Sequence, residues 1–157
     1  MDVFSEKLNN LLVETFRDIL KFEEKMLNSF DQLNLSISEV HMLESVGKSG
    51  NTPKTISELS QDLSITLPSV TNAIKKLEAA GYVQKTKSSS DGRSVLVELT
   101  RKGQRVDAAH RYFHRQMVGE LSRGLSAEDK EHLMRGIERL DNFFKGKLDE
   151  TKYELKI

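Results

Sequence analysis

The sequence predicts a mainly α-helical chain with one small β-hairpin and long helices at both ends. Three observations carry this expectation. Apolar residues recur at three- and four-residue steps over most of the 157 residues. That period breaks at Tyr82-Val83-Gln84-Lys85-Thr86-Lys87 and at Val95-Leu96-Val97-Glu98-Leu99-Thr100, two strand-like runs flanking Asp91-Gly92. Good cap residues (Thr55, Thr66, Thr100 and Ser126) stand where helical stretches begin.

Residues 3 to about 30 form the first helix. Val3, Phe4, Leu8, Leu11, Leu12, Phe16, Ile19, Leu20, Phe22, Met26, Leu27 and Phe30 make an apolar band wide for a surface helix, with no Gly or Pro inside it. Contact with a partner subunit would use that width. A break at Asn34 precedes a helix over Leu35–Ser45, which Ser38 can cap and whose Val40 and Leu43, with Val46 just beyond, face inward. Lys48–Pro53 is loop by composition. Thr55 with Glu58 three residues on is a capping box, opening a short helix with Ile56, Leu59 and Leu63 as its apolar positions.

The next helix, Thr66–Gly81, organises the chain. Thr66 is its N-cap, and Pro68 lacks the N–H that a first turn leaves unpaired. Leu67, Val70, Ile74 and Leu77 form one stripe, while Ser69, Thr71, Asn72, Lys75 and Lys76 lie off it. Gly81 suits a left-handed helix stop. Two short helices joined by a tight turn make a helix-turn-helix, although the turn at Ser64-Ile65 has no glycine. The hairpin that follows reads as a wing, with Lys85, Lys87 and Arg93 near its tip, where an arginine can sense minor-groove width. Thr100 then caps a helix running to about Arg123, with Val106, Ala109, Phe113, Met117, Val118 and Leu121 apolar and Gly124 closing it. Ser126 with Asp129 caps the last helix, through Leu133, Ile137, Leu140, Phe144 and Leu148. These two helices read as an antiparallel pair, with a charged tail from Thr151 that frays unless Tyr153 and Leu155 dock.

Composition narrows the function. A chain of this length forms one domain, or one with extensions. Hydrophobic content of 37% and aromatic content of 6% suit helices with charged faces, or surface buried in an oligomer. There is no apolar run long enough to span a membrane, and the acidic start MDVFSEKLNN is not a secretory signal, so the cytoplasm is expected. Without cysteine there is no disulfide and no thiol chemistry. The net charge is zero but uneven. Residues 1–54 hold six Lys/Arg against nine Asp/Glu, residues 55–105 eight against five, and residues 106–157 ten against ten. The positive middle coincides with the helix pair and wing.

The order of elements and the local motifs resemble the MarR family of bacterial transcription regulators. The resemblance rests on TISELSQDLSITLPSVTNAIKKLEAAGYV, on the wing SSSDGRSVLVELTRKG, and on the long flanking helices; it covers nearly the whole chain. It implies a triangular homodimer of winged helix-turn-helix domains, joined by the first helix and the last two. Residues 1–34 and 104–157 would then be dimerisation helices, and 35–103 the DNA-binding domain. It further implies that Asp91 orients Arg93 and that Arg93 enters the minor groove. Shorter matches, SISEVHMLESVGK, SITLPSVT and FHRQMV, resemble the branch that represses fatty-acid synthesis genes in Gram-positive bacteria. That branch implies an acyl-carrier-protein thioester as corepressor. The alternative is a repressor released by a small aromatic or other lipophilic effector. The family's ligand space suggests Phe16, Leu20, Met42, Val46, Phe113 and Met117 as lining.

The expected partner is therefore double-stranded DNA with a near-palindromic operator. Ser69, Thr71 and Asn72 would meet base edges, with Thr66 and Pro68 placing the helix start. Lys75, Lys76, Lys85, Lys87, Arg101 and Lys102 would meet phosphates. A different class, a winged fold that holds only a protein partner, has no need of lysines on the second helix and an arginine in the wing together. Enzyme chemistry finds no support: there is no H-E-x-x-H, no phosphate loop and no nucleophile elbow. His110 and His114 stand four apart and could share a metal, but such pairs are usually surface or interface residues. No cofactor and no metal is expected.

Overall fold

The computed structural model describes residues 2–29, 35–48, 50, 52–87 and 95–154. In chain order the elements are α1 (Val3–Ser29), α2 (Ile37–Gly47), β1 (Lys54–Thr55), α3 (Ile56–Leu63), α4 (Leu67–Ala79), β2 (Val83–Lys87), β3 (Val95–Leu99), α5 (Arg101–Ser122) and α6 (Ala127–Glu154). By packing, the chain divides into two compact units, Met1–Tyr112 and Phe113–Ile157.

In the first unit α2, α3 and α4 enclose one core with the sheet. Val40, Leu43, Leu59, Val70, Ile74, Leu77, Tyr82 and Val97 are all buried in it. Each of the aliphatic side chains contributes roughly 1.5–3 kcal/mol by leaving water. Val40, Leu43 and Val46 point inward as expected, and Ile56 and Leu63 flank the buried Leu59. Leu67 does not join the α4 stripe; it is about half exposed. It holds the first helical position, and side chains lean toward the helix N-terminus, so this one leans off the end of the packed surface.

The caps set the helix starts. Thr55 and Glu58 form the expected box, as do Ser126 and Asp129. The α2 cap is Ser36, not Ser38. Glu39 stands three residues after Ser36, so its carboxylate accepts from the Ser36 amide while the Ser36 hydroxyl accepts from the Glu39 amide. Ser38 has His41 at that offset. The α3–α4 turn manages without glycine because Ser64 takes the left-handed conformation, at φ 53. The Ser60 hydroxyl donates to the Ile65 carbonyl at 2.6 Å and braces the turn.

The wing is a three-stranded sheet rather than a plain hairpin. The order is β1-β3-β2, both pairings antiparallel, with Val83 opposite Leu99 and Lys54 opposite Val97. At two residues β1 is too short to show a sequence period. The tip residues 88–94, including Asp91, Gly92 and Arg93, lie outside the described residues, as do Phe30, Asn34 and Leu155, and the side chains of Leu27 and Tyr153.

Within the second unit, residues 113–122 of α5 make almost no contact with α6. Among the described residues of this unit the expected antiparallel packing of the pair is not seen. Val118, Leu121, Ile137, Phe144 and Leu148 are left exposed instead. The final helix continues through Glu154, past Thr151 where fraying was expected.

Candidate nucleic-acid interface

α4 is held from one side and open on the other. Val70, Ile74 and Leu77 anchor it to the core. Ser69, Asn72, Lys75 and Lys76 are exposed on the remaining surface, and Thr71 is half-buried. The Thr66 hydroxyl accepts from the Ser69 amide at 3.3 Å, and the two hydroxyl oxygens are 2.8 Å apart, so the helix start is tied into one small unit. The Thr71 hydroxyl donates to the Leu67 carbonyl at 2.8 Å. This bond turns it along the helix and leaves only its acceptor lone pairs for a base edge. Among the described residues neither Lys75 nor Lys76 has an ion-pair partner. Unneutralised lysines on an exposed helix face are available to an anion such as phosphate.

Two of the other cations are engaged. Lys85 pairs with Glu78 at 2.6 Å and ties β2 to the end of α4. Lys102 donates to the Ala80 carbonyl at 3.0 Å and lies 4.1 Å from the centre of the Tyr82 ring. It closes the C-terminal end of α4, where free carbonyls favour a cation. Arg101 and Lys87 are exposed. Asp91 and Arg93 lie outside the described residues.

The run L-T-x-K-G at Leu99–Gly103 thus has a structural reason that spacing alone does not reveal. The Thr100 hydroxyl lies 2.7 Å from the Gly81 carbonyl oxygen and 3.1 Å from that of Tyr82, and it accepts from the Gly103 amide at 3.2 Å. A Cβ at Gly103 would stand 2.1 Å from the Tyr82 carbonyl oxygen, so only glycine lets α5 start there. Gly81 takes φ +76, the left-handed stop expected of it. The clamp sets the angle at which α4 leads into the wing.

A salt-bridged brace supports the helix pair from behind. The Lys54 ammonium donates to the Ser45 carbonyl at 2.7 Å and pairs with Asp62, joining α2, β1 and α3. The Lys54 hydrogen bond holds the Asp62 carboxyl below its usual range. The Thr55 amide does the same for Glu58.

The expected effector residues are not gathered into one cavity within the first unit. Phe16 and Leu20 are exposed on α1, and Met42 and Val46 belong to the core. Phe113 and Met117 are half-buried in the second unit. A cleft of about 460 Å³ lies beside Val46 instead, lined by Gly47, Leu99, Gln104, Asp107 and Arg111 among others.

Comparison with known proteins agrees with this geometry. The MarR family model matches residues 35–95. Streptococcus pneumoniae FabT, solved in complex with DNA, is 31% identical; the alignment covers 90% of this chain and 98% of that one, with a TM-score of 0.81. The chain belongs to the MarR family. As a member it is a transcriptional regulator and not an enzyme. Its fold also matches the MepR–DNA complex of S. aureus, at 20% identity, with coverage of 83% of this chain and 94% of that one and a TM-score of 0.65. An uncharacterized HTH-type transcriptional regulator, YhjH of Bacillus subtilis (strain 168), is 28% identical over 82 residues, 52% of this chain; the match spans about half of that protein's length, 46%. No helix among the described residues is long and apolar enough to cross a membrane.

Proposed function

We propose that this MarR-family chain is a dimeric repressor that sets the α4 helices of two copies into successive major grooves of a near-palindromic operator. The observation that carries this is the exposed Ser69, Asn72, Lys75 and Lys76 face of α4, in a chain that aligns over most of its length with a regulator solved on DNA. Residues 35–103 act as the DNA-binding part. Asn72 suits adenine, while Ser69 is less selective. Lys75, Lys76 and Lys87 neutralise phosphates, and Arg93, oriented by Asp91, enters the minor groove. Lys85 and Lys102 act mainly by holding α4 and the wing in place. The exposed apolar residues of α1 and α6 meet those of a second copy, as an interface core requires.

The likeness to FabT supports the fatty-acid-synthesis branch, with an acyl-carrier-protein thioester as corepressor. A corepressor acts only through its difference in affinity for the two spacings of the α4 helices. The test is a gel shift on the upstream region of this chain's own gene, with and without long-chain acyl-carrier-protein thioesters. Lys75→Ala with Lys76→Ala should weaken binding to all sequences and reduce the log–log salt slope by about 2, roughly one unit per lysine. Arg93→Ala should weaken it further. An unchanged affinity in these variants would remove the DNA-facing assignment. Release rather than tightening by the thioester would favour a lipophilic inducer instead.

A further inference from the structure

The side of α4 turned away from the core opens on carbon, not on a polar group. Val70, Ile74 and Leu77 mark the buried side of the helix. At about 3.6 residues per turn, Pro68, Asn72 and Lys75 fall on the opposite side. All three are exposed. Leu67, beside Pro68, is 49% exposed, and Ile65, just before the helix, 41%. Neither Ile65 nor Leu67 belongs to the core cluster. An apolar lip therefore stands at the start of α4, one turn before Asn72.

The hydroxyl groups of the same stretch are engaged locally. Those of Thr66 and Ser69 lie 2.8 Å apart, and that of Thr71 donates to the Leu67 carbonyl at 2.8 Å. Pro68 has no N–H and brings no donor. A helix start favours proline at its first position. Here that position is Leu67, and the proline follows it on the outward side. In the major groove the carbon group that projects from a base edge is the C5-methyl of thymine, a partner for apolar side chains.

We infer that Pro68, flanked by Leu67, reads the C5-methyl of a thymine in each half-site of the operator. The inference rests on the DNA-binding reading and adds a base to it. Pro68 precedes Asn72 by four residues, about 6 Å along the helix. That is no more than about two base-pair steps of 3.4 Å, so the thymine lies within about two base pairs of the adenine that suits Asn72. The contact removes apolar surface from water and neutralises no phosphate. It contributes affinity without changing the salt slope, unlike Lys75 and Lys76.

The test uses the full chain and an operator duplex from its own upstream region, in whichever state, with or without acyl-carrier-protein thioester, it binds more tightly. Each thymine is replaced in turn by deoxyuridine, which keeps the base pair and removes only the methyl. Affinity is read by fluorescence anisotropy. The expected result is one position per half-site at which the loss weakens binding about fourfold, and about fifteenfold when both half-sites are changed, as burying one methyl-sized group implies. Pro68→Ala, its helix content checked by circular dichroism, should bind the unmodified operator more weakly, keep the parent's salt slope and no longer distinguish thymine from deoxyuridine there. Leu67→Ala should lose part of that discrimination. The inference is overturned if no deoxyuridine position matters to the parent. It is equally overturned if the penalty persists in full in Pro68→Ala, which would assign the methyl's effect to DNA shape. A parent that binds none of the upstream duplexes would instead remove the DNA-binding reading, and this inference with it.

Discussion

α4 and α6 start from the same kind of pattern and meet opposite fates. Both carry apolar residues at helical spacing with charged residues between them. In α4 the stripe is satisfied within the chain, with Val70, Ile74 and Leu77 at most 1% exposed. In α6 Leu133, Ile137, Phe144 and Leu148 all remain open to solvent. The difference teaches what each helix is for. One is held by its own domain so that its polar face can act. The other presents an apolar face with no cover among the described residues, the face that the proposed second copy would bury. Periodicity states that a face will be buried, not by which molecule.

The comparison breaks most sharply by cutting each stripe. Ile74→Ala should cost about 2–5 kcal/mol in denaturant unfolding at high protein concentration, because a buried cavity remains. Phe144→Ala should leave that unfolding concentration-dependent but shift the dimer–monomer balance in sedimentation toward monomer. Equal losses in a monomeric state would erase the distinction between the two helices. A smaller effect is expected at the joint that orients α4. Gly103→Ala drives a methyl against the Tyr82 carbonyl and should cost about 1–3 kcal/mol, the usual range for overpacking. A neutral result in thermal unfolding would show that α5 can slide.

The smallest effect sharpens the cleft beside Val46. Burial pushes the Asp107 carboxyl above its ordinary range; Arg111, whose guanidinium lies 2.6 Å away, opposes this and Glu44 adds to it. The folded state then keeps a proton that the unfolded chain has already lost. Stability from this group is full below the unfolded pKa and is lost as pH rises through the folded one. Asp107→Asn should remove that fall. Urea midpoints measured from about pH 4 to about pH 8 should decline less steeply in the variant, and parallel curves would refute the assignment.

Much of the local structure could be read from the residues because its causes are local. A cap needs a hydroxyl and a carboxylate three positions apart, and Thr55 with Glu58 and Ser126 with Asp129 supply that within one turn. The same rule misplaced the α2 start only because two serines compete and the decisive partner, Glu39, belongs to the first. The turn between α3 and α4 was legible as a turn, but not the left-handed Ser64 that makes it, since serine carries no strong preference for that conformation. β1 was invisible because its two residues form a strand only by pairing with β3.

The sequence by itself determined the helices, their caps, the strand runs of the wing and the faces of α4, all set by contacts within a few residues. Tertiary structure alone decided that Lys85 and Lys102 brace the scaffold, that Gly103 admits α5 and that the apolar positions of α6 stay exposed among the described residues. It also brought Glu23 to His110 across 87 positions. No period or spacing encodes such a meeting, because it depends on how three helices pack around one core.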